Sequence, residues 1–117
     1  MPQTVTNSAQ EQTTALYDMT NLSKMKVIAA LAPEAMNAFV AFDRAALAEG
    51  VIPRRYKELM AIAVAFTTQC PYCIELHAGK ARELGVSDAE IAETVLVAAA
   101  LRAGGAVTHG THALTAA

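Results

Sequence analysis

The chain has 117 residues, of which 54% are hydrophobic, with no tryptophan, few aromatic residues and much alanine. Its formal net charge is −2 with acids and bases interspersed, so neither a nucleic acid nor an anionic membrane surface is an expected partner. This length predicts one domain with a packed core, and the alanine content favours closely packed helices.

The first dozen residues, MPQTVTNSAQEQ, are polar and hold few apolar groups. We therefore predict a disordered polar tail over 1–12 and a single helical domain over 13–117. The N-terminus lacks the charged start and apolar stretch of a secretory signal, and no apolar run approaches the ~20 residues needed to cross a bilayer. We expect a soluble, cytoplasmic protein with no membrane partner, in a compartment that keeps thiols reduced.

Proline, glycine and capping signals divide the rest of the chain into helices. Pro33 and Pro53 each suit the first turn of a helix. Ser87 begins a capping box, and Gly104 with Gly105 is expected to break the helix that follows. No strand-like alternation occurs, so the predicted fold class is all-α, a compact multi-helix domain. The predicted helices cover 14–19, 24–31, 33–50, 53–69, 71–84 and 88–103, with a weaker helix at the end of the chain.

The helix that begins at Pro53 carries a carboxylate on an apolar face. This helix is apolar throughout 59–66, which predicts that it is buried on all sides. Glu58 shares one face with Ile62 and Ala65, so we expect its side chain to point inward. A buried glutamate is uncommon unless it is paired, and an apolar setting makes it a competent proton acceptor. An ordinary salt bridge to an arginine in the preceding turn is the alternative.

The segment TTQCPYCIELH, residues 67–77, holds both cysteines of the chain. Pro71 suits the first turn of a helix, which places Cys70 at the N-cap and Cys73 in the first turn. Unpaired N–H groups and the helix dipole favour thiolate there. His77 follows Cys73 by one helical turn, so the imidazole can take the thiol proton. Two thiols on one turn can close a disulfide, and the segment therefore predicts a dithiol redox pair.

Other interpretations of these residues stay open. The cysteines could be small buried hydrophobes, or they could hold a metal ion together with His77 and Glu58. Haem attachment in its usual form is excluded, because Ile74 and not histidine follows the second cysteine. His109 and His112 are expected at the surface or at an interface. No cofactor and no bound metal are expected in the leading interpretation.

Four of these residues have the spacing E-x11-C-x2-C-x3-H. In their helical context they resemble the carboxymuconolactone decarboxylase superfamily, specifically its alkylhydroperoxidase D-like branch. The resemblance extends over about 33–105 and includes the segment LGVSDAEIAE. It implies an all-helical fold with the C-x-x-C at the start of a central helix, and assembly into trimers or hexamers. The four residues are Glu58, Cys70, Cys73 and His77.

The resemblance also implies an activity and a role for each residue. In that family a cysteine pair reduces a hydroperoxide, and an external thiol donor such as a lipoyl-bearing protein returns the electrons. The second cysteine of the motif usually attacks, which makes Cys73 peroxidatic and Cys70 resolving. Glu58 and His77 then form a proton relay. Tyr72 departs from the histidine that often precedes the second cysteine, and a phenol cannot act as a base at neutral pH as imidazole can.

The sequence therefore favours a thiol-dependent peroxidase or disulfide reductase. A non-redox lactone decarboxylase or isomerase that uses Glu58 and His77 as acid and base is one alternative. A non-enzymatic helical oligomer with incidental cysteines is the other. Because a short chain with this much apolar surface cannot hide it alone, we expect copies of the chain to associate, and the resemblance implies a homotrimer or homohexamer.

Overall fold

The computed structural model of the chain describes residues 17–116. Its regular elements are all helical, which confirms the all-α fold class. The predicted tail over 1–12 and the first residues of the helix predicted over 14–19 lie outside the described residues. The helices are α1 (Met25–Leu31), α2 (Pro33–Leu47), α3 (Arg54–Thr68), α4 (Pro71–Glu83) and α5 (Asp88–Gly110), with 3-10 helices at Met19–Lys24 and Thr111–Ala113.

The chain divides into two compact units, and the boundary between Val40 and Ala41 falls inside α2. The first unit contains the 3-10 helix Met19–Lys24, α1 and the first half of α2. Its apolar side chains at Ile28 and Leu31 are exposed. The second unit contains the rest of α2 and all of α3, α4 and α5. The prediction of a single domain over 13–117 stays a prediction.

Local signals in the second unit begin its helices where the sequence predicts. Pro53 is the N-cap of α3. Pro71 lies in the first turn of α4, and Cys70 is the N-cap of that helix. Ser87 caps α5 by accepting from the Glu90 N–H, while the Glu90 carboxylate accepts from the Ser87 N–H at 3.0 Å. This capping box is the one that the sequence predicts.

An ion pair joins the start of α3 to the start of α5. Arg55 Nη2 donates to Glu90 Oε1 at 2.6 Å and to the Gly85 carbonyl at 3.3 Å. The pKa of Glu90 lies below its usual range, mainly because its carboxylate accepts a hydrogen bond from the Ser87 N–H. The guanidinium of Arg55 lowers this pKa further. The same carboxylate therefore caps one helix and anchors it to another.

The core of the second unit lies where α3 packs against α4 and α5. Ile62 and Ala81 are completely buried, and Val86 is 5% exposed. Partly buried side chains from α3 and α5 complete this cluster. They are Leu59, Phe66 and Ile91.

The expectation that α3 is buried on all sides is wrong for a single copy of the chain. Met60 is 49% exposed and Val64 is 59% exposed. Both lie on a side of α3 that α4 and α5 leave open, because those two helices cover the face that carries Ile62 and Ala65.

The expected break at Gly104 and Gly105 is also wrong, because α5 continues through both to Gly110. A glycine in a helix interior costs only about 1 kcal/mol relative to alanine. Ending α5 and starting a new helix would require a second, unfavourable nucleation. Continuation through the two glycines is therefore the more stable outcome.

The segment Asp88–Ala113, α5 and the turn after it, presents a long apolar surface. Its 26 residues contain an 18-residue window of mean hydropathy 1.4, of which 6% is buried. By length and composition alone this helix could cross a membrane, contrary to the expectation that no apolar run approaches that length. The difference arises because Glu93 and Arg102 interrupt the apolar run, yet the mean hydropathy of the window that contains them stays high.

Replacing Gly85 with alanine is expected to destabilise the protein by about 1–2 kcal/mol. Gly85 has a φ of +83°, and a Cβ there would meet nothing within 4 Å, so the whole cost is the left-handed backbone. Gly79 lies inside α4 and also faces open space, and Gly79→Ala should stabilise by about 0.5–1 kcal/mol. Urea unfolding of both variants measures the two effects, and changes of the same sign would contradict the argument.

Candidate active site

A tight turn places the two cysteines beside the end of α3. Gln69 follows α3 with a left-handed backbone, φ 57° and ψ 47°. The N–H groups of Gln69 and Cys70 both donate to the Ala65 carbonyl, the latter at 3.1 Å. These bonds satisfy an otherwise open carbonyl of the last turn. The chain then reverses, so that α4 runs back along α3.

The two sulfurs lie at the N-terminus of α4. Cys70 is the N-cap and Cys73 is the third residue of the helix, as the sequence predicts. The two cysteines form a disulfide, with their Cα atoms 5.3 Å apart. The N–H of Cys73 donates to Cys70 Sγ at 3.3 Å. In the reduced protein this N–H and the positive end of the helix dipole would stabilise a thiolate on Cys70.

A buried hydrogen bond between two side chains crosses from α3 to α4 beside the sulfurs. Glu58 is 2% exposed, and its Oε2 lies 2.6 Å from Nδ1 of His77. The inward direction predicted for Glu58 is confirmed, and the nearby Arg55 pairs with Glu90 instead. An ionised Glu58 accepts from Nδ1–H, which fixes the proton on that nitrogen and leaves Nε2 as the proton acceptor.

A cavity of about 380 Å³ opens beside one end of the disulfide. Cys73 and His77 line it, whereas Cys70 and Glu58 do not. A ligand in the cavity would therefore meet the sulfur of Cys73 and the imidazole, with the other two groups behind them. Apolar side chains form most of the wall, including Leu47, Met60, Ala61 and Val64.

The structure thus brings all four predicted site residues into one place, while their catalytic roles stay predictions. His109 in the last turn of α5 and His112 in the 3-10 helix that follows lie elsewhere and are exposed, with their ring centroids 5.6 Å apart. Within residues 17–116, no group of three or more His, Cys, Asp or Glu side chains could hold a metal ion.

Sequence reasoning missed Lys57 and Asp43, two charged residues that line the cavity. Lys57 precedes Ala61 and Val64 along one face of α3, and this periodicity was available in the sequence. Its Nζ donates to the Ala48 carbonyl at 2.7 Å. Asp43 approaches from α2, and no local signal indicates that contribution, because it depends on how α2 packs beside α3.

Two bacterial proteins share sequence similarity with the chain. Uncharacterized protein 4 in the cox locus of Paracoccus denitrificans is 45% identical over 78 residues, which cover 67% of this chain and 70% of that protein. An uncharacterized protein of Cupriavidus necator is 32% identical over 65 residues, which cover 56% of this chain and 58% of that protein. Neither name states an activity.

Solved structures share the fold. A carboxymuconolactone decarboxylase family protein of Legionella pneumophila, solved in its apo form, has a TM-score of 0.65 and 30% identity over 68% of this chain and 71% of that chain. A protein of Methanobacterium thermoautotrophicum has a TM-score of 0.70 and 32% identity over 74% of this chain and 98% of that chain. The sequence pattern of the Carboxymuconolactone decarboxylase family matches residues 33–116, from the start of α2 onward. The chain therefore belongs to the carboxymuconolactone decarboxylase family.

Proposed function

We propose that the protein is a thiol-dependent peroxidase or disulfide reductase of the alkylhydroperoxidase D-like branch. One observation carries the proposal: the Cys73 end of the Cys70–Cys73 disulfide lines an apolar cavity. Beside it lies a histidine that is hydrogen-bonded to a buried glutamate. A structural staple explains this disulfide poorly. A bridge across two intervening residues closes a very small loop and restricts the unfolded chain little.

In the first step, the Cys73 thiolate attacks the terminal oxygen of a hydroperoxide bound in the cavity. An S–O bond forms, the O–O bond breaks, and the departing alkoxide takes up a proton and leaves as an alcohol. His77 accepts the thiol proton on Nε2 and returns it to the leaving oxygen, while Glu58 holds Nδ1. Cys73 is left as a sulfenic acid.

In the second step, the Cys70 thiolate attacks the sulfur of Cys73. The S–S bond forms, and the hydroxyl group of the sulfenic acid leaves as water with one proton. The two electrons of the dithiol have then passed to the peroxide. The Cα separation of 5.3 Å within one turn lets this bond form without large backbone movement.

An external thiol donor closes the cycle by returning two electrons. Since Cys73 lines the cavity, the donor thiolate attacks its sulfur, and Cys70 departs as the thiolate that the Cys73 N–H stabilises. A second donor thiol then releases the donor as a disulfide. A dithiol on a flexible arm, such as the lipoyl group of a partner protein, fits this role. We propose a reducing, cytoplasmic location, where such donors stay reduced.

Acid–base chemistry without redox is the second candidate function. The pairing of Glu58 with His77 at the cavity supports it, because a held imidazole can move a proton on a lactone as well as on a thiol. The cysteines would then be incidental. Turnover that persists after alkylation of both cysteines would identify this chemistry, whereas redox turnover would be lost.

We also propose that copies of the chain associate through α5, as a homotrimer or homohexamer. Leu96, Leu101 and Val107 are 67%, 69% and 73% exposed, and such a surface is unstable in water. A lipid bilayer is less suitable than a second copy of the chain for burying this surface. Arg102 lies inside the helix, and an arginine at the centre of a membrane span costs roughly 2.5–3.5 kcal/mol.

Reduced protein treated with one equivalent of an organic hydroperoxide is expected to lose both thiols and form the Cys70–Cys73 disulfide. Cys73→Ser should not react with the peroxide, because the sulfur that lines the cavity is gone. Cys70→Ser should stop at a sulfenic acid on Cys73, since no second thiol can displace the hydroxyl. Mass spectrometry after trapping with a dione reagent distinguishes these products.

Two results would count against this assignment in different ways. Survival of both thiols would reject the redox function altogether. A sulfenic acid on Cys70 in the Cys73→Ser variant would reverse the roles of the two sulfurs. The chain has no other cysteine that could give a false signal.

Glu58→Gln is expected to lower the rate of Cys73 oxidation by about 100-fold, the lower end of what acid–base catalysis contributes. The amide keeps the side-chain volume but carries no charge to hold the proton on Nδ1 of His77. Glu75→Gln, on the exposed side of α4, is the matched control and should react like the parent. Stopped-flow kinetics gives both rates, and equal rates for Glu58→Gln and the parent would remove Glu58 from the relay.

Sedimentation velocity at micromolar concentration should find an oligomer of the parent chain. Leu101→Glu places a charge on the exposed face of α5 and should give monomers. Lys80→Glu changes charge on the exposed side of α4 and should leave the oligomer intact. A monomeric parent chain would contradict the proposal whatever the variants do.

A further inference from the structure

We propose that the cavity beside Cys73 selects a hydroperoxide that is both amphipathic and anionic, with an apolar body and a carboxylate that Lys57 binds. This inference rests on the proposed peroxidase function and names the substrate class for that site. It follows from the position of Lys57, from its hydrogen bonding, and from the apolar wall that separates it from the reactive sulfur.

Lys57 presents a positive charge that no carboxylate pairs with in the described part of the chain. Its side chain is half-buried in the cavity wall, and its Nζ donates to the Ala48 carbonyl at 2.7 Å. An ammonium group has three donors, so two remain for a ligand. Among residues 17–116 the ion pairs join Arg55 to Glu90 and Arg82 to Asp88, and the remaining acid–base contact joins His77 to Glu58. None of them includes Lys57.

The geometry of the helix pair sets the length of the ligand. His77 meets Glu58, the neighbour of Lys57, whereas Cys73 lies one turn of α4 before His77. One turn advances about 5–6 Å along the axis. A molecule that reaches from Cys73 to Lys57 therefore passes His77 and is longer than one helical turn of about 5–6 Å.

The material between the two ends of the cavity is apolar. Met60, Ala61 and Val64 line this stretch of α3, with Leu47 opposite on α2. Aliphatic carbons gain about 25 cal/mol for each Å² that they bury against such a wall. Hydrogen peroxide has neither an apolar body nor a charge, so it would gain nothing from either feature.

Asp43 is the charge that opposes this preference, and it also lines the cavity. Its side chain is exposed on α2, so water and salt screen its repulsion of an anion. Lys57 is less exposed and is held in place by a backbone carbonyl, so its attraction is screened less. The balance favours an anionic ligand, and removing the Asp43 charge should increase the preference.

The test compares ω-hydroperoxy octanoate with its methyl ester, in which a methyl group replaces the negative charge at the far end. Single-turnover oxidation of the reduced chain should be about tenfold faster with the acid than with the ester at equal, subsaturating concentration, the factor expected of one charge-assisted hydrogen bond. In Lys57→Met this acid-to-ester ratio should fall to about one. In Asp43→Asn it should rise about two- to threefold, and in the control Lys80→Met, an exposed α4 cation, it should stay tenfold.

A second measurement does not depend on peroxide chemistry. Octanoate should slow the alkylation of Cys73 by iodoacetamide several-fold in the reduced parent chain, and octanamide should not. Lys57→Met should lose this protection, and Lys80→Met should keep it. Equal protection by octanoate and octanamide would overturn the inference.

The two measurements separate the inference from the function on which it rests. Oxidation by acid and ester at equal rates would overturn the anionic preference and leave the peroxidase function standing. If neither hydroperoxide oxidised the pair, the peroxidase function would fail and the substrate class with it. Selective protection by octanoate would in that case still assign an anionic ligand to the cavity.

Discussion

The contact of 2.6 Å between Glu58 and His77 constrains the rest of the site. It joins α3 to α4 where Ile62 and Ala81 pack, so a buried polar pair and an apolar core hold the same two helices. Removing one partner would leave the other buried without a hydrogen bond, which costs about 1–3 kcal/mol. The pair therefore sets the direction of the imidazole, and through the helix it fixes where Cys73 lies one turn earlier.

The turn at Gln69 is the second constraint, because it places Cys70 both at the end of α3 and at the start of α4. Cys70 lies directly after the left-handed residue, and its N–H closes the end of α3 on the Ala65 carbonyl. Its sulfur in turn accepts the Cys73 N–H at the start of α4. In the proposed cycle, the thiol that leaves when the disulfide is reduced is thus the one that the backbone would stabilise as an anion. The thiol that faces the cavity is the other one, and this asymmetry gives the two sulfurs different chemistry.

Local signals were enough to predict most of this arrangement. Pro53, Pro71 and Ser87 start helices through their own backbone restrictions and hydrogen bonds, which do not depend on the rest of the chain. The inward direction of Glu58 followed from a carboxylate placed within an apolar face. The relation of His77 to Cys73 followed from helical spacing alone.

Features that depend on packing between helices could not be predicted in this way. α5 continues through Gly104 and Gly105 because the free-energy cost of two glycines inside a helix is smaller than the cost of nucleating a second helix. The presence of glycine alone does not reveal which cost is larger. The exposure of Met60 depends on which side of α3 its neighbours leave open. The cavity likewise needs a wall from α2, and Asp43 carries no local sign that it belongs there.

The exposed face of α5 and the candidate active site are connected through α3. Arg55 ties the start of α3 to Glu90 at the start of α5, and Ala98 is buried farther along that helix. A second copy that covers Leu101 and its neighbours would restrict the motion of α5. Because α3 also carries Glu58, that restriction would reach the carboxylate that positions His77. Association through α5 would then do more than hide apolar surface, since it would reduce the freedom of the helix against which the thiol, the imidazole and the cavity are assembled.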